Sequence, residues 1–116
     1  MAKPKNCIPV GEARQLQNNW DGTQGADIAR AQGAEAVRSV TFSIDDLQDY
    51  INYVKEETNA QGIRVWFGSY GNDGTKNANK ATVFFAPCAT KEGDSKNNYE
   101  AEPMNFGQSG WPPFVY

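Results

Sequence analysis

The chain has 116 residues and carries 11 Lys and Arg against 14 Asp and Glu, for a formal net charge of −3. Its sequence pI is near 4.8, and the basic residues are scattered singly. That argues against a nucleic-acid backbone as partner, which needs clustered cations to displace counterions. There is no histidine, so there is no Ser–His or Cys–His pair, no ordinary three-ligand zinc site and no imidazole pH switch.

The length fits a single domain over 1–116, with 1–7 and 89–104 read as flexible. A chain of this size hides roughly 65% of its unfolded surface, enough for one modest core. No apolar run approaches 18 residues, so no transmembrane helix is expected and no membrane is assigned as partner. The opening MAKPKNCIPV has lysines but no apolar stretch to make a signal peptide. A cytoplasmic location is expected, although a trimmed, exported mature chain would read the same way. Two cysteines, Cys7 and Cys88, exclude a disulfide scaffold and a cysteine-based tetrahedral metal site. Joined, they would close a loop of about 80 residues, for about 4.5 kcal/mol. In a reducing compartment they stay as thiols. No cofactor and no metal are expected.

In chain order, Ile8 to Trp20 reads as a first helix, with Val10, Ala13, Leu16 and Trp20 at helical spacing and Pro9 suited to its first turn. DGTQG at 21–25 breaks the pattern, and the alanine-rich 26–36 suggests a short second helix. VRSVTF (37–42) is β-branched and aromatic, hence a strand. Ser43 followed by Asp46 is a capping pattern that opens a helix over roughly 44–60. Ile44, Leu47, Ile51 and Val54, joined by Tyr50, form its apolar stripe, and Gly62 suits the left-handed position after it. IRVWFGSY (63–70) is the clearest strand, with Ile63, Val65 and Phe67 on one face and Arg64, Trp66 and Tyr70 on the other. A polar loop, GNDGTKNANK, leads to a third strand, Ala81 to Ala86, stopped by Pro87 and paired with 63–70 as an antiparallel hairpin. The fold class is α+β: a small β-α-β-β core with an N-terminal helix and an irregular aromatic C-terminal tail. A right-handed crossover would join strands 37–42 and 63–70, with the capped helix covering one sheet face.

Four features invite a functional reading. Ser109 in NFGQSGWPPF looks at first like a serine presented by a small-residue turn. Without a histidine base it has no activating partner, and the spacing is not a Gly-x-Ser-x-Gly elbow. The bland alternative is a turn feeding Pro112 and Pro113, with Phe106, Trp111 and Phe114 as anchors, that seals the sheet. On the capped helix, Asp45, Asp49, Asn52 and Glu56 share a face. This is either a solvated surface, with Asp45 and Asp46 also favourable at the N-terminal dipole, or a docking face for a basic partner or a weak divalent-cation site. Asn72 to Asn77 offers oxygen atoms of the kind calcium prefers but lacks the EF-hand spacing, and a turn built on Gly71 and Gly74 explains it. Arg64, Trp66 and Tyr70 form an aromatic–cationic patch, unless the N-terminal helix or the tail with Trp111 packs over it.

The blocks IPVGEARQLQNNW, TFSIDDLQDYINYV, GIRVWFGSYG, TVFFAP and NFGQSGWPP together resemble a family of small bacterial proteins with no assigned function. The resemblance covers most of Ile8 to Pro113; it implies one domain and carries no site residues. The expected function is a small, non-catalytic, soluble binding or interaction protein that uses the acidic helix face or the aromatic sheet and tail patch. The alternative is a small-ligand binder with a pocket between sheet and tail lined by Trp66, Tyr70 and Trp111. A third reading, an enzyme using carboxylates or Cys88, needs a cleft with two acids or a thiol of lowered pKa.

Overall fold

The computed structural model describes residues 2–72, 74–75 and 78–105, and 108–110 by their backbone. Within them it is α+β, with helices and antiparallel strand pairs. No described helix is long and apolar enough to cross a membrane. The chain forms two compact units, one of them containing the residues up to Arg38 and the other Ser39–Gly110.

The first unit holds α1 (Val10–Gly22) and α2 (Gln24–Gln32). Pro9 caps α1 in an extended conformation, and its carbonyl accepts from the Ala13 N–H at 3.1 Å. A proline suits the start of a helix, where backbone N–H groups have no intrahelical acceptor. The DGTQG break shrinks to Thr23 alone, whose hydroxyl donates to the Asn19 carbonyl at 2.7 Å. Gly25 allows the tight corner: a Cβ there would meet the Trp20 ring at 2.6 Å. α2 ends on Gly33 at φ 68°, the left-handed position where glycine carries no Cβ penalty. Ala36 and Val37 are buried, and Arg38 bridges to Asp21 at 3.1 Å. That guanidinium bond holds the Asp21 carboxyl below the usual range. The expected α1 stripe is not a core face, since Val10 and Leu16 are exposed.

The second unit contains β1 (Ser39–Thr41), α3 (Ile44–Glu57), β2 (Gly62–Ser69), β3 (Ala81–Cys88) and β4 (Gln108–Gly110). Ser43 caps α3 as its pattern predicts, with the Asp46 N–H donating to its hydroxyl at 2.9 Å. The helix ends at Thr58 rather than at a left-handed glycine; the Thr58 hydroxyl donates to the Val54 carbonyl and accepts from the Ala60 N–H, both at 2.9 Å. Gly62 instead opens β2, and close approach demands it: a Cβ there would lie 2.5 Å from the Thr90 carbonyl oxygen and 2.7 Å from the Cys88 sulfur.

β2 and β3 form the expected antiparallel hairpin, in a register that sets Ile63 opposite Pro87, Val65 opposite Phe85 and Trp66 opposite Phe84. Pro87 does not stop β3. The Pro87 carbonyl accepts from the Asn98 N–H at 3.0 Å, so this residue's backbone faces away from β2. Proline is tolerated there because no ladder bond to β2 needs its missing N–H.

The parallel crossover does not form, because β1 pairs antiparallel with β4, Val40 lying opposite Ser109. A three-residue strand has little with which to hold a parallel ladder, the weaker kind per residue. α3 is tied instead to the far edge of β3, where the Tyr50 hydroxyl shares its proton between the Phe85 and Glu102 carbonyls at 3.2 and 2.9 Å. Burial there pushes the Tyr50 phenol pKa up. The Phe42 ring meets Phe85 edge-on at 4.8 Å. Only Tyr50 and Val54 of the expected α3 stripe are buried, Val54 to 3% exposure, whereas Ile44 is 84% exposed.

Candidate functional site

A concavity lies on the even-numbered face of the β2–β3 hairpin. Strand alternation places Arg64 and Trp66 there, with Phe84 and Ala86 opposite them in register. The Trp66 and Phe84 rings lie nearly parallel, 9° apart with centroids at 6.1 Å, as an offset aromatic pair prefers. They make a flat apolar floor.

The wall is the charged segment after β3. Its backbone is tied to the outer edge of β3 by Ala89 N–H to the Lys96 carbonyl at 2.8 Å and by Asn98 N–H to the Pro87 carbonyl at 3.0 Å. Further along, Phe85 and Met104 exchange both backbone bonds at 2.9 Å. Arg64 holds the turn between these points. Its guanidinium donates to the Ser95 carbonyl at 2.8 Å, to the Gly93 carbonyl at 3.1 Å and to the Asn97 side-chain oxygen at 2.8 Å. The same guanidinium carbon lies 5.8 Å from the Trp66 ring centroid, within cation–π range. Arg64 is therefore a structural clamp, with both terminal guanidinium nitrogens bonded to the loop.

Asn97 extends that clamp. It accepts from Arg64 through its oxygen and donates through its nitrogen to the Tyr99 hydroxyl at 3.2 Å. The chain Arg64–Asn97–Tyr99 orients an aromatic ring that is 87% exposed. Beyond it Ala101 is buried, and Glu102 is fixed through its backbone by Tyr50 and by the Tyr53 hydroxyl, which accepts from the Glu102 N–H at 2.9 Å. Trp66, Phe84, Pro87, Tyr99, Ala101 and Pro103 give the groove its apolar surface; Asn97, Asn98 and Glu102 are its polar members. Its volume is about 380 Å³, within the range of small-ligand sites. Among the described residues Glu102 is the one charged side chain on the lining, and the Arg64 guanidinium flanks the Trp66 floor.

The other residues singled out in the sequence are dispersed. Tyr70 sits beyond the groove, its hydroxyl accepting from Thr82 at 3.3 Å, and does not line it. Trp111 lies outside the described residues, as do Phe106 and Phe114. Ser109 belongs to β4, because its backbone pairs with Val40 in extended conformation instead of turning. Asp45, Asp49 and Glu56 are all exposed on α3. Asp46 and Asp49 border a shallow depression with Tyr50, Tyr53 and Met104.

Cys7 is exposed and Cys88 buried, both as free thiols, and the Cys88 sulfur lies 3.2 Å from the Thr90 carbonyl. Gly71 and Gly74 take the positive φ expected of the 71–80 loop; Asp73, Lys76 and Asn77 lie outside the described residues. Among the described residues no three His, Cys, Asp or Glu side chains gather as a metal site.

Sequence reasoning found Trp66 and Arg64 but missed Phe84, Asn97 and Tyr99. Tyr99 is the one aromatic in the charged 89–102 stretch, and a lone aromatic in a polar loop is a signal of a contact or a binding surface. Phe84 was legible only as the cross-strand partner of Trp66, which requires the register.

Comparison with known protein families, with curated proteins and with solved structures finds no match for this chain.

Proposed function

We propose that this protein is a small cytoplasmic binding protein whose working surface is the Trp66–Phe84 groove, and that it acts by recognition rather than by catalysis. The observation that carries the reading is the stacked Trp66–Phe84 floor facing an oriented, exposed Tyr99 across an apolar groove of about 380 Å³. Aromatic rings with amide groups beside them bind flat ligands by stacking and orient them through a few hydrogen bonds. Asn97 and Asn98 supply the amides here. The ligand class that fits is a ring-bearing molecule, or an aromatic or proline side chain of a peptide.

A thermal-shift screen against a metabolite and short-peptide library tests this. A ligand at 100 times its Kd stabilises the fold by about 2.7 kcal/mol. Binding should be lost in Trp66→Ala and weakened in Tyr99→Ala, and should persist in an Asp45, Asp49, Glu56 charge reversal. Hits that survive Trp66→Ala but vanish on that charge reversal would move the function to the acidic face of α3.

A further inference from the structure

We infer that β2 is a self-association edge: two copies of this chain pair antiparallel through β2 around a two-fold axis at Val65. The direction of the backbone groups follows from what β3 does with its other edge. The Val83 carbonyl accepts from the Asn105 side-chain amide at 3.0 Å. Phe85 spends both its N–H and its carbonyl on Met104, and the Pro87 carbonyl accepts from Asn98. These three residues therefore point away from β2. In an antiparallel ladder, residues directly opposite one another either both face inward or both face outward. Their partners in register are Phe67, Val65 and Ile63, so the N–H and carbonyl groups of those three point outward along the free side of β2. Among the described residues no strand lies on that side.

The side chains on this edge match the backbone. Phe67 is 91% exposed, Val65 51%, and Ile63 is exposed as well. Soluble proteins blunt a free edge with lysine, proline, a bulge or a short strand. β2 runs for eight residues, GIRVWFGS, with none of these.

A second copy is the occupant the residues favour. Antiparallel pairing centred on Val65 sets Val65 against itself and Ile63 against Phe67 of the other copy, twice. Every pair joins outward-facing backbone groups, and the paired side chains are all apolar. Arg64, the one charged residue of β2, then lies opposite Trp66 and not opposite its own image. A centre at Arg64 would oppose two like charges, which destabilises a sheet. One pair of eight-residue strands is a small contact beside the roughly 800 Å² per partner of a standard stable interface, so a weak, concentration-dependent dimer is expected. It uses the edge and the odd-numbered side chains of β2 and also sets Arg64 of one copy beside Trp66 of the other on the groove's face, so its test reads association by itself, without ligand.

Sedimentation equilibrium across a dilution series, together with thiol crosslinking in a Cys7→Ser background, tests this. The expected result is a reversible dimer, weakened at least about tenfold by Phe67→Lys, which removes an apolar ring from the contact. Residues directly opposite in the hydrogen-bonded pair lie about 5.5 Å apart between Cα atoms, within disulfide reach. Val65→Cys should therefore give a covalent dimer on mild oxidation, and Phe67→Cys, which faces Ile63, should not. Circular dichroism confirms that each variant folds. A chain that stays monomeric at millimolar concentration overturns the inference. So does a dimer indifferent to Phe67→Lys, or one that crosslinks no better at Val65→Cys than at Phe67→Cys.

Discussion

The two faces of β2 come from the same eight residues and differ in what lies against them. On the even-numbered face, Arg64 is half-buried beneath a loop that it holds down through acceptors on Gly93, Ser95 and Asn97, and Trp66 beside it keeps 36% exposure. On the odd-numbered face, Val65 and Phe67 stand in solvent even though they are the more apolar set. Hydrophobicity alone would have buried the odd face, and the apolar stripe of the capped helix was expected to cover one face of the sheet. Hydrogen-bonding demand decided otherwise. A guanidinium offers five donors in a fixed fork, and the turn from Thr90 to Asn97 supplies carbonyls at matching positions. α3 meanwhile is fixed by one phenol to the outer edge of β3, so its Ile44 and Ile51 stay exposed.

Breaking the covered face should cost the most. Gly62→Ala forces a methyl into the Thr90 carbonyl and the Cys88 sulfur, where β2 and the loop approach most closely. Overpacking against backbone that cannot move aside costs about 2–3 kcal/mol, to be read as a lower urea midpoint, and should abolish groove binding with it. Next in size is a matched pair on the two faces. Arg64→Met keeps the aliphatic stem but leaves the loop carbonyls without their donor, for about 2 kcal/mol by the usual worth of charge-assisted bonds. Phe67→Ser, one residue past Trp66 on the bare face, should stay within about 0.5 kcal/mol of the parent in the monomer. Equal losses for the two variants would mean that the bare face is buried in solution.

The smallest expected effect concerns Tyr50 and sharpens the account of α3. Tyr50→Phe removes one shared hydrogen bond, for about 1 kcal/mol near neutral pH. The folded-state pKa of this phenol is raised by burial. Its contribution is therefore fully present below the ordinary tyrosine value near 10 and is lost as pH rises through the higher folded value. Denaturation at alkaline pH should show the parent losing stability in that window, with Tyr50→Phe flatter across it. A parent as flat as the variant would show that the phenol ionises in the fold as it does in the unfolded chain.

The sequence revealed local structure better than it revealed coverage. The Ser43–Asp46 cap, the start of α3 and the β2–β3 hairpin each rest on neighbouring residues, and each was legible, whereas the end of α3 falls at Thr58 and not at Gly62. The pairing of β1 with Gln108–Gly110 was not, because it joins residues about 70 positions apart and the QSG stretch has little strand propensity of its own. Pro87 misled for a similar reason. A proline ends a strand only if its N–H is needed, and that depends on which edge it faces. For the groove, Trp66 announced itself through size and alternation. Phe84, Asn97 and Tyr99 acquire their roles only through register and through the Arg64–Asn97–Tyr99 chain, which no spacing rule predicts.

The claim most directly open to test is that the covered, even-numbered face of β2 recognises ligand. The measurement is a ¹H–¹⁵N correlation spectrum of the uniformly labelled protein, with the Trp66 indole signal assigned through Trp66→Phe, titrated with the ligands that score in the thermal screen. The account predicts that the Trp66 indole and the Tyr99 and Ala101 amides shift together with a single Kd, while the Asp45, Asp49 and Glu56 amides of α3 stay fixed. Shifts confined to α3, or a Trp66 indole that does not move while ligand binds, would contradict it.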